Sequence, residues 1–294
     1  MTDFQPFLAP AKINLFLHIT GQRADGYHTL QSVFRLLDFY DTIHIKPTQN
    51  GEIKRSNEIN GVPESQCLCA LAAHALQRVL VKQNPGCKLC CEYRIEKRIP
   101  MGGGLGGGSS DAATMLLALN KLWNLNLSRE ALIQIGLTLG ADVPIFIFGQ
   151  NAWAEGVGEI LSSIDLAPQF YVVLTPQVHV STAQVFANST LTKDTKPLKI
   201  ADFSEAVNSN LFRNDLENVV CKEFPAVAFT LKWLNQFGQD ILGKPRMSGS
   251  GASVFVAVDS QTKANEILAQ KPANTGGFVA KGLDKHPLFD FCSK

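Results

Sequence analysis

Residues 100–116 read PMGGGLGGGSSDAATML, which places six glycines within seven positions before the pattern changes abruptly to that of a helix. The segment follows CKLCCEYRIEKRI, a predicted strand. A flexible linker would continue in Gly, Ser or Pro and would join regions of independent pattern. Apolar residues spaced three and four apart instead mark one helix face: Ala112, Met115, Leu116, Leu119, Leu122 and Trp123. The order of strand, glycines and helix is typical of a loop that binds phosphate.

The chemistry of such a loop comes from its backbone. Glycines let N–H groups approach an anion without side-chain clashes, and a helix N-terminus adds unpaired donors and a partial positive charge. Ser109, Ser110 and Asp111 favour an N-cap, so we expect the helix to begin among them. The serine hydroxyls could also reach a phosphate or Mg²⁺. A tight turn needed only for packing is the alternative.

The kind of nucleotide is not determined by the glycines. The P-loop pattern G-x-x-x-x-G-K-[ST] fails because Ser109 stands where the lysine belongs. Gly102, Gly104 and Gly107 fit the dinucleotide pattern G-x-G-x-x-G, but almost any run of six glycines would do so. No acidic residue ends a second strand about twenty positions later, as that fold requires. The HRD and DFG signatures of protein kinases are absent.

Composition narrows the class of partner. The 294 residues are 45% apolar and 18% charged, as in ordinary globular proteins, and the chain is long enough for two domains. A formal net charge of +1 gives no basic surface for nucleic acid or an acidic membrane. No apolar run reaches the length of a bilayer span, and the N-terminal residues show no leader pattern. We therefore expect a cytoplasmic protein that acts on a small molecule.

Seven cysteines, an odd number, indicate reduced thiols rather than a disulfide framework. The pairs Cys67/Cys69 and Cys87/Cys90 have spacings that suggest a zinc site. Cys87 and Cys90 lie in the predicted strand, where positions three apart point to opposite faces, so they cannot share one metal without a turn. We expect these cysteines to be buried small hydrophobic residues.

The remaining patterns predict a mixed fold. Strands are predicted at AKINLFLHITGQ, YDTIHIKP and IFIFG, and a helix at SREALIQIGLTL with Ser128 as its N-cap and Gly140 at its end. After about Ser163 the pattern starts afresh, with strands and helices in alternation. We predict an α+β protein of two domains, residues 1–163 and residues 164–294.

Two further residues are candidates for phosphoryl-transfer chemistry, which needs a group that takes the acceptor's proton and a cation that holds the developing charge. Asp142, in LGADVPIF, follows a predicted helix and could project into a cleft, although an Asp two residues before Pro is commonly a turn former. Lys12 interrupts an otherwise apolar strand. The alternative is that Lys12 lies on the solvent-exposed face of an edge strand, because Asn14 and Phe16 fall on the same face of that strand.

Six segments occur in the order seen in the galactokinase, homoserine, mevalonate and phosphomevalonate (GHMP) kinase superfamily, and the chain resembles that family over essentially its whole length. They are PAKINLFLHITGQRADGYHTLQSVF, PMGGGLGGGSSDAAT, LTLGADVPIF, AEGVGEIL, NDLE and SGSGASVFV. RADGYHTL and GLTLGADVP point to one member, whose acceptor is a cytidyl-linked methylerythritol. The resemblance implies a two-domain α+β fold with the active site in the cleft between the domains, and ATP and Mg²⁺ as cofactors.

The resemblance also implies roles for individual residues. Asp142 would accept the proton of the acceptor's 2-hydroxyl, Lys12 would steady the anion, and Asn14 would hydrogen-bond near the acceptor. Residues 248–253, SGSGAS, would abut the phosphate loop. The residues implied to wrap the ATP phosphates are Pro100, Met101, Gly102, Gly103, Gly104, Leu105, Gly106, Gly107, Gly108, Ser109 and Ser110.

Four residues are implied to bind the cytidine. Tyr27 would stack on one face of the cytosine and His28 would hydrogen-bond its edge, while Phe186 covers the other face and Thr182 helps to close the pocket.

Three alternatives to this function remain. Another small-molecule kinase of the family would not need Tyr27 and His28, a nicotinamide-dependent oxidoreductase would not turn over ATP, and a nucleotide-binding regulator would tolerate loss of Asp142.

Overall fold

The computed structural model describes residues 3–206 and 211–292, and the following elements lie within them. The strands are β1 (Gln5–Gln22), β2 (His28–Thr48), β3 (Lys54–Arg55), β4 (Cys90–Glu96), β5 (Ala152–Glu155), β6 (Ile160–Ser163), β7 (Phe170–Pro176), β8 (Leu242–Met247), β9 (Val254–Val258) and β10 (Thr275–Leu283). The helices are α1 (Leu68–Gln83), α2 (Gly107–Leu122), α3 (Arg129–Leu137), α4 (Val143–Phe148), α5 (Thr182–Ala187), α6 (Ile200–Ala206), α7 (Glu217–Glu223), α8 (Pro225–Leu234) and α9 (Gln261–Ala269).

One connected sheet runs through the protein in the order β3-β4-β2-β10-β7-β9-β8. The long strand β1 pairs antiparallel with β2, and β5 pairs with β2 and β6. The C-terminal strand β10 joins the two halves, because it pairs with β7 along most of its length and with Leu36 and Leu37 of β2 at its end. The combination of this sheet with packed helices confirms the predicted α+β class.

Strand β1 contributes to different parts of the core along its length. Ala9 packs with α1, α2 and β4, whereas Leu17 and Ile19 pack with the helices and strands of the second half. Register shifts occur after Pro10 and after Asn14, and such bulges bend a strand and redirect its side chains. This explains how one strand can supply Lys12 and Asn14 at a junction between the two halves.

The last described residues return to the first half. Leu288 lies in the same buried cluster as α1 and α2, and His286 Nε2 lies 3.3 Å from Thr114 Oγ1 on α2. Arg129 on α3 donates to the carbonyls of Ile147 and Phe289. The C-terminal residues therefore connect helices of the first half, α2 and α3, by packing and hydrogen bonds. The division of the chain at residue 163 stays a prediction.

Local structure departs from the sequence expectations at four places. Strand β4 begins at Cys90, so Cys87 lies outside the strand predicted to contain it. IFIFG is not a strand but part of α4, because Pro144 suits a first helical turn and a short apolar run is ambiguous between buried strand and buried helix. Helix α2 begins at Gly107, before the expected caps, and Gly106 is its N-cap. Helix α3 ends with Thr138 as its C-cap rather than at Gly140, whereas Ser128 is confirmed as the N-cap.

No helix within residues 3–206 and 211–292 combines the length and the apolar character needed to cross a membrane.

Candidate active site

A cavity of about 550 Å³ opens where the two halves meet. The glycine loop, defined as residues 100–110, forms one wall together with Lys12, Asn14 and Asp142. The second half contributes Thr182 and Phe186, along with Leu216, Gly249 and Ser250. The structure therefore brings the sequence-predicted phosphate loop, the predicted proton acceptor and three predicted acceptor-binding residues, Asn14, Thr182 and Phe186, to one cavity.

Residues 248–253 hold the glycine loop in place through hydrogen bonds. Ser253 N donates to the Gly103 carbonyl at 3.1 Å, and Ser248 Oγ donates to the Gly104 carbonyl at 2.9 Å. Gly104 has a φ of +73°, and a Cβ on it would lie 2.0 Å from the Ser248 carbonyl oxygen. Only glycine allows this approach, so the two glycine-rich segments pack against each other through their backbones.

The first turn of α2 faces the cavity through Gly107, Gly108 and Ser109. The first N–H groups of any helix have no partner within it, and the helix dipole places partial positive charge at that end. Gly106, with a φ of +72°, turns the chain from the loop into the helix. The helix thus starts earlier than its serine residues suggested, and its first residues line the cavity.

Lys12 and Asp142 meet at the edge of the glycine loop. Lys12 Nζ lies 3.2 Å from Asp142 Oδ2 and donates to Asn14 Oδ1 at 2.7 Å and to the Gly104 carbonyl at 3.2 Å. The Lys12 side chain is 3% exposed and that of Asp142 is 39% exposed. A buried ammonium therefore holds a carboxylate that still faces the open cavity, an arrangement suited to accepting a proton while the ammonium stabilises negative charge.

Both polar atoms of the Asn14 side-chain amide are hydrogen-bonded. Its Oδ1 accepts from Lys12, its Nδ2 donates to Ser32 Oγ at 2.8 Å, and Ser32 Oγ donates to the Phe16 carbonyl at 2.6 Å. Its backbone N–H donates to Ser248 Oγ at 3.2 Å. Asn14 thereby links β1, β2 and residues 248–253, and it orients the lysine beside Asp142.

The residues expected to hold the cytidine are arranged more loosely. The rings of His28 and Phe186 lie 5.4 Å apart at 36°, and Thr182 Oγ1 lies 2.7 Å from Ser250 Oγ. Tyr27 is 66% exposed and, like His28, lies beyond the cavity lining that contains Phe186 and Thr182. Burial, with a smaller contribution from Lys193, lowers the pKa of His28, so its imidazole is neutral at pH 7.

Other cavity residues carried no recognisable motif. Part of the cavity lining is apolar and includes Ile59, Val62, Leu68 and Ile95. Residues 57–66 have neither periodicity nor a motif, so no sequence signal pointed to them. An apolar wall in the same cavity as the glycine loop is suited to a planar heterocycle.

Lys97 was also missed, although it stands three residues before Pro100. Its ammonium contacts Asp41 and lies 2.7 Å from Asp111 Oδ2. Burial raises the pKa of Asp111, with Lys97 opposing that effect. The carboxylates of Asp111 and Asp41 raise the pKa of Lys97 even though burial acts in the opposite direction. A charge at the end of an apolar strand was the available sequence signal, but it is common to many surface lysines.

Comparisons with known proteins identify the family of the chain. The family model for the GHMP kinases N terminal domain matches residues 68–150, and that for GHMP kinases C terminal matches residues 192–273. A 4-diphosphocytidyl-2-C-methyl-D-erythritol kinase of Thiobacillus denitrificans is 52% identical over 98% of both chains. A protein of the same name from Nitrosospira multiformis is 51% identical over 97% of this chain and 94% of its own.

Solved structures give the same result. A crystal structure of 4-(cytidine 5'-diphospho)-2C-methyl-D-erythritol kinase superimposes with a TM-score of 0.80 at 31% identity, covering 95% of this chain and 99% of the other. A mevalonate kinase crystal structure, at 18% identity over 96% of this chain and all of the other, has a TM-score of 0.68 and shares the fold. The chain therefore belongs to the 4-diphosphocytidyl-2-C-methyl-D-erythritol kinases, within the GHMP kinase family.

Proposed function

We propose that this protein transfers the γ-phosphoryl group of ATP to the 2-hydroxyl of 4-diphosphocytidyl-2-C-methyl-D-erythritol, giving the 2-phosphate and ADP, in the non-mevalonate route to isoprenoid precursors. The observation that carries the proposal is the Lys12–Asp142 pair, 3.2 Å apart, at the edge of a glycine loop inside one cavity. It supplies a proton acceptor, a cation and an anion cradle together, which is what phosphoryl transfer requires.

The glycine loop and the first turn of α2 bind the ATP phosphates. Backbone N–H groups and the helix dipole supply the attraction. Glycine at positions 104 and 106 lets the loop pack against Ser248 and Phe146, where a Cβ would clash. The apolar end of the cavity, near Ile59 and Val62, takes the adenine ring. The γ-phosphoryl group then points toward Asp142.

Asp142 orients the acceptor hydroxyl and receives its proton. As the hydroxyl oxygen forms a bond to the γ-phosphorus, the bond between that phosphorus and the bridging oxygen breaks, and ADP leaves with the electron pair. Lys12 stabilises the carboxylate and the charge that develops on the transferred group. Because no covalent enzyme intermediate is needed, the reaction depends on positioning and charge.

Mg²⁺ fits this donor set. Within residues 3–206 and 211–292 no three His, Cys, Asp or Glu side chains form a ready-made metal cluster, but Mg²⁺ commonly binds one or two protein oxygens and substrate phosphates. A Cβ added to Gly140 would lie 3.9 Å from Ser109 Oγ, so Ser109 is close to the segment that carries Asp142. The Ser109 hydroxyl and the Asp142 carboxylate would hold the ion, which neutralises phosphate charge when bound.

The cytidine lies between the halves. Tyr27 stacks on the cytosine and Phe186 covers its other face, His28 hydrogen-bonds the edge of the base, and Thr182 closes the pocket. The contact between the rings of His28 and Phe186 supports this placement. A neutral His28 offers one donor and one acceptor, which suits a base edge that presents both. The protein acts in the cytoplasm on these small molecules.

The test is ADP release from Mg-ATP by the purified protein, with 4-diphosphocytidyl-2-C-methyl-D-erythritol, mevalonate and homoserine offered separately. Turnover with the cytidyl compound alone is expected, and phosphorus NMR of the product should place the new phosphate on the 2-hydroxyl. Turnover with mevalonate or homoserine instead would identify another GHMP kinase activity. A folded protein that is silent with all three, or that binds a nicotinamide cofactor, would refute the proposal.

A further inference from the structure

We propose that Lys97 is a positioning residue for ATP: its ammonium ties the strand side of the glycine loop to the helix side through Asp41 and Asp111, and so sets the width of the phosphate cradle. The inference rests on the proposed ATP-dependent function. It assigns a role to Lys97, Asp41 and Asp111, three polar side chains that the phosphoryl-transfer chemistry itself does not use.

The strand side of the loop is fixed by Asp41 of β2, which is fully buried. Asp41 Oδ1 accepts hydrogen bonds from the backbone N–H groups of Arg98 at 2.6 Å and Ile99 at 2.8 Å. These are the two residues that precede Pro100, where the glycine loop begins. Lys97 Nζ contacts the other oxygen of the same carboxylate, so Asp41 holds three consecutive residues at the start of the loop.

The helix side of the loop is reached by the same ammonium. Lys97 Nζ lies 2.7 Å from Asp111 Oδ2 on α2, and a Cβ on Gly107, the first residue of α2, would lie 3.3 Å from Lys97 Nζ. Residues 97 and 111 flank the whole loop. A single side chain therefore spans the two ends between which the phosphates must fit.

Both Lys97 and Asp111 line the nucleotide cavity. The Asp111 side chain is 6% exposed, and its Oδ1 is buried with no hydrogen-bond partner among the residues that the structure describes. Lys97 and Asp111 are thus part of the cavity wall rather than of the remote core. A shift of either side chain would change the space in which the phosphates bind.

Stability alone does not account for this arrangement. Buried ion pairs are expensive to desolvate, and well-packed apolar residues often replace them without loss of stability. Ionisable groups retained despite this desolvation cost are explained by geometry, because hydrogen bonds to charged groups fix the distances between the elements that they join.

The test is direct nucleotide binding by calorimetry, without acceptor, for the full chain and for Lys97→Met. The probes are Mg-ADP, the non-hydrolysable analogue Mg-AMP-PNP, and adenosine. We expect Lys97→Met to bind both phosphorylated probes about 10-fold or more weakly, as loss of a charge-assisted hydrogen bond implies, and adenosine within about 3-fold of the unaltered chain. Equal weakening for all three probes, or unchanged affinity for the phosphorylated ones, would overturn the proposal.

Lys121→Met is the matched control, since Lys121 is exposed on the last turn of the same helix. A double-mutant cycle then separates a shared device from two independent effects. Asp111→Ala should weaken Mg-ADP binding as Lys97→Met does, and the double variant should be no weaker than either single variant. Additive losses would contradict the coupling. If Lys97→Met fails to fold, the comparison of Mg-ADP with adenosine in Asp111→Ala decides the question alone.

Failure of this inference is distinguishable from failure of the proposed function. Nucleotide binding by the unaltered chain does not depend on the acceptor, so a protein that binds Mg-ADP but phosphorylates none of the acceptors would refute the function and leave the Lys97 test intact. Conversely, full turnover with unchanged Mg-ADP affinity in Lys97→Met would refute only the role of Lys97.

Discussion

The proposed phosphate site and the proposed cytidine site, called here the phosphate end and the cytidine end, are built differently. At the phosphate end, Lys12 is 3% exposed and has three polar partners, and the glycine loop is hydrogen-bonded to residues 248–253. At the cytidine end, Tyr27 lies beyond the cavity lining and is 66% exposed, and its backbone N–H donates to Asp25 Oδ1 in a surface turn. One end is preformed, whereas the other is open.

The difference follows from what each end must do. Groups that stabilise charge in a transition state act best when they are already fixed, because reorganisation during the reaction would add to the barrier. Stacking on a base needs only an accessible aromatic plane, which the ligand itself can order. Changes at the phosphate end should therefore affect catalysis and folding, whereas changes at the cytidine end should affect only the affinity for the acceptor.

The largest expected effect is at Asp142. Asp142→Asn preserves the shape of the side chain but removes the proton acceptor, so kcat should fall by about 10²- to 10⁴-fold while ATP still binds. Steady-state kinetics with both substrates, and calorimetry with Mg-ADP, would measure the two quantities. Asp165→Asn, at an exposed position outside the cavity, is the control. Near-normal turnover in Asp142→Asn would remove this residue from the mechanism.

Gly104 tests how closely the phosphate end is fitted. In Gly104→Ala the new Cβ would lie 2.0 Å from the Ser248 carbonyl oxygen and the residue would keep a φ of +73°. We expect a loss of about 1–3 kcal/mol in the free energy of unfolding and a marked loss of ATP affinity. Gly51→Ala, with a φ of +80° but no neighbour within 4 Å, isolates the backbone strain. Equal losses in both variants would show that the contact with Ser248 is unimportant.

Tyr27 tests the open end. Tyr27→Ala should raise the KM for the cytidyl substrate about 10- to 100-fold, the usual range for loss of one base stack, and leave the KM for ATP and the Tm unchanged. Phe229→Ala removes another exposed aromatic ring, on α8, and should change neither KM. A parallel rise in both KM values for Tyr27→Ala would indicate a folding defect and would break the contrast between the two ends.

The smallest effect concerns the stability of the helices behind the phosphate end. Burial lowers the pKa of His286 to about 3, and its Nδ1 accepts from the Leu288 N–H. The unfolded chain binds a proton near pH 6.5 but the native protein does not, so stability is present above that pH and falls as the pH drops toward 3. By pH 5 the loss from this residue should be about 2 kcal/mol.

Urea unfolding at pH 7 and at pH 5 would measure this loss. His286→Gln should show a smaller decrease between the two pH values than the unaltered chain. His74→Gln, at an exposed position on α1, should show the same decrease as the unaltered chain. An identical decrease in His286→Gln would show that the native protein protonates this histidine without penalty.

Motif and periodicity predicted most of the phosphate end. The glycines, the helix after them and the capping serine of α3 are local signals, and the structure has each element close to its expected place. The error at IFIFG has a clear reason: four apolar residues satisfy either a strand or a helix, and Pro144 in the first turn together with packing against α2 and α3 favours the helix. The cysteines expected as buried small residues are mostly buried, and all seven are free thiols.

The sequence by itself determined the elements whose signals are local: a glycine loop between a strand and a helix, a mixed α+β pattern, and candidate groups for phosphoryl transfer at Lys12 and Asp142. The tertiary structure alone decided which distant residues meet. The contacts of Ser248 with Gly104, Lys12 with Asp142 and Lys97 with Asp41 span 56 to 144 positions. The contact of Lys97 with Asp111 spans 14 positions, across the glycine loop. Such contacts depend on strand register, bulges in β1 and backbone clearance at Gly104, none of which leaves a pattern in neighbouring residues.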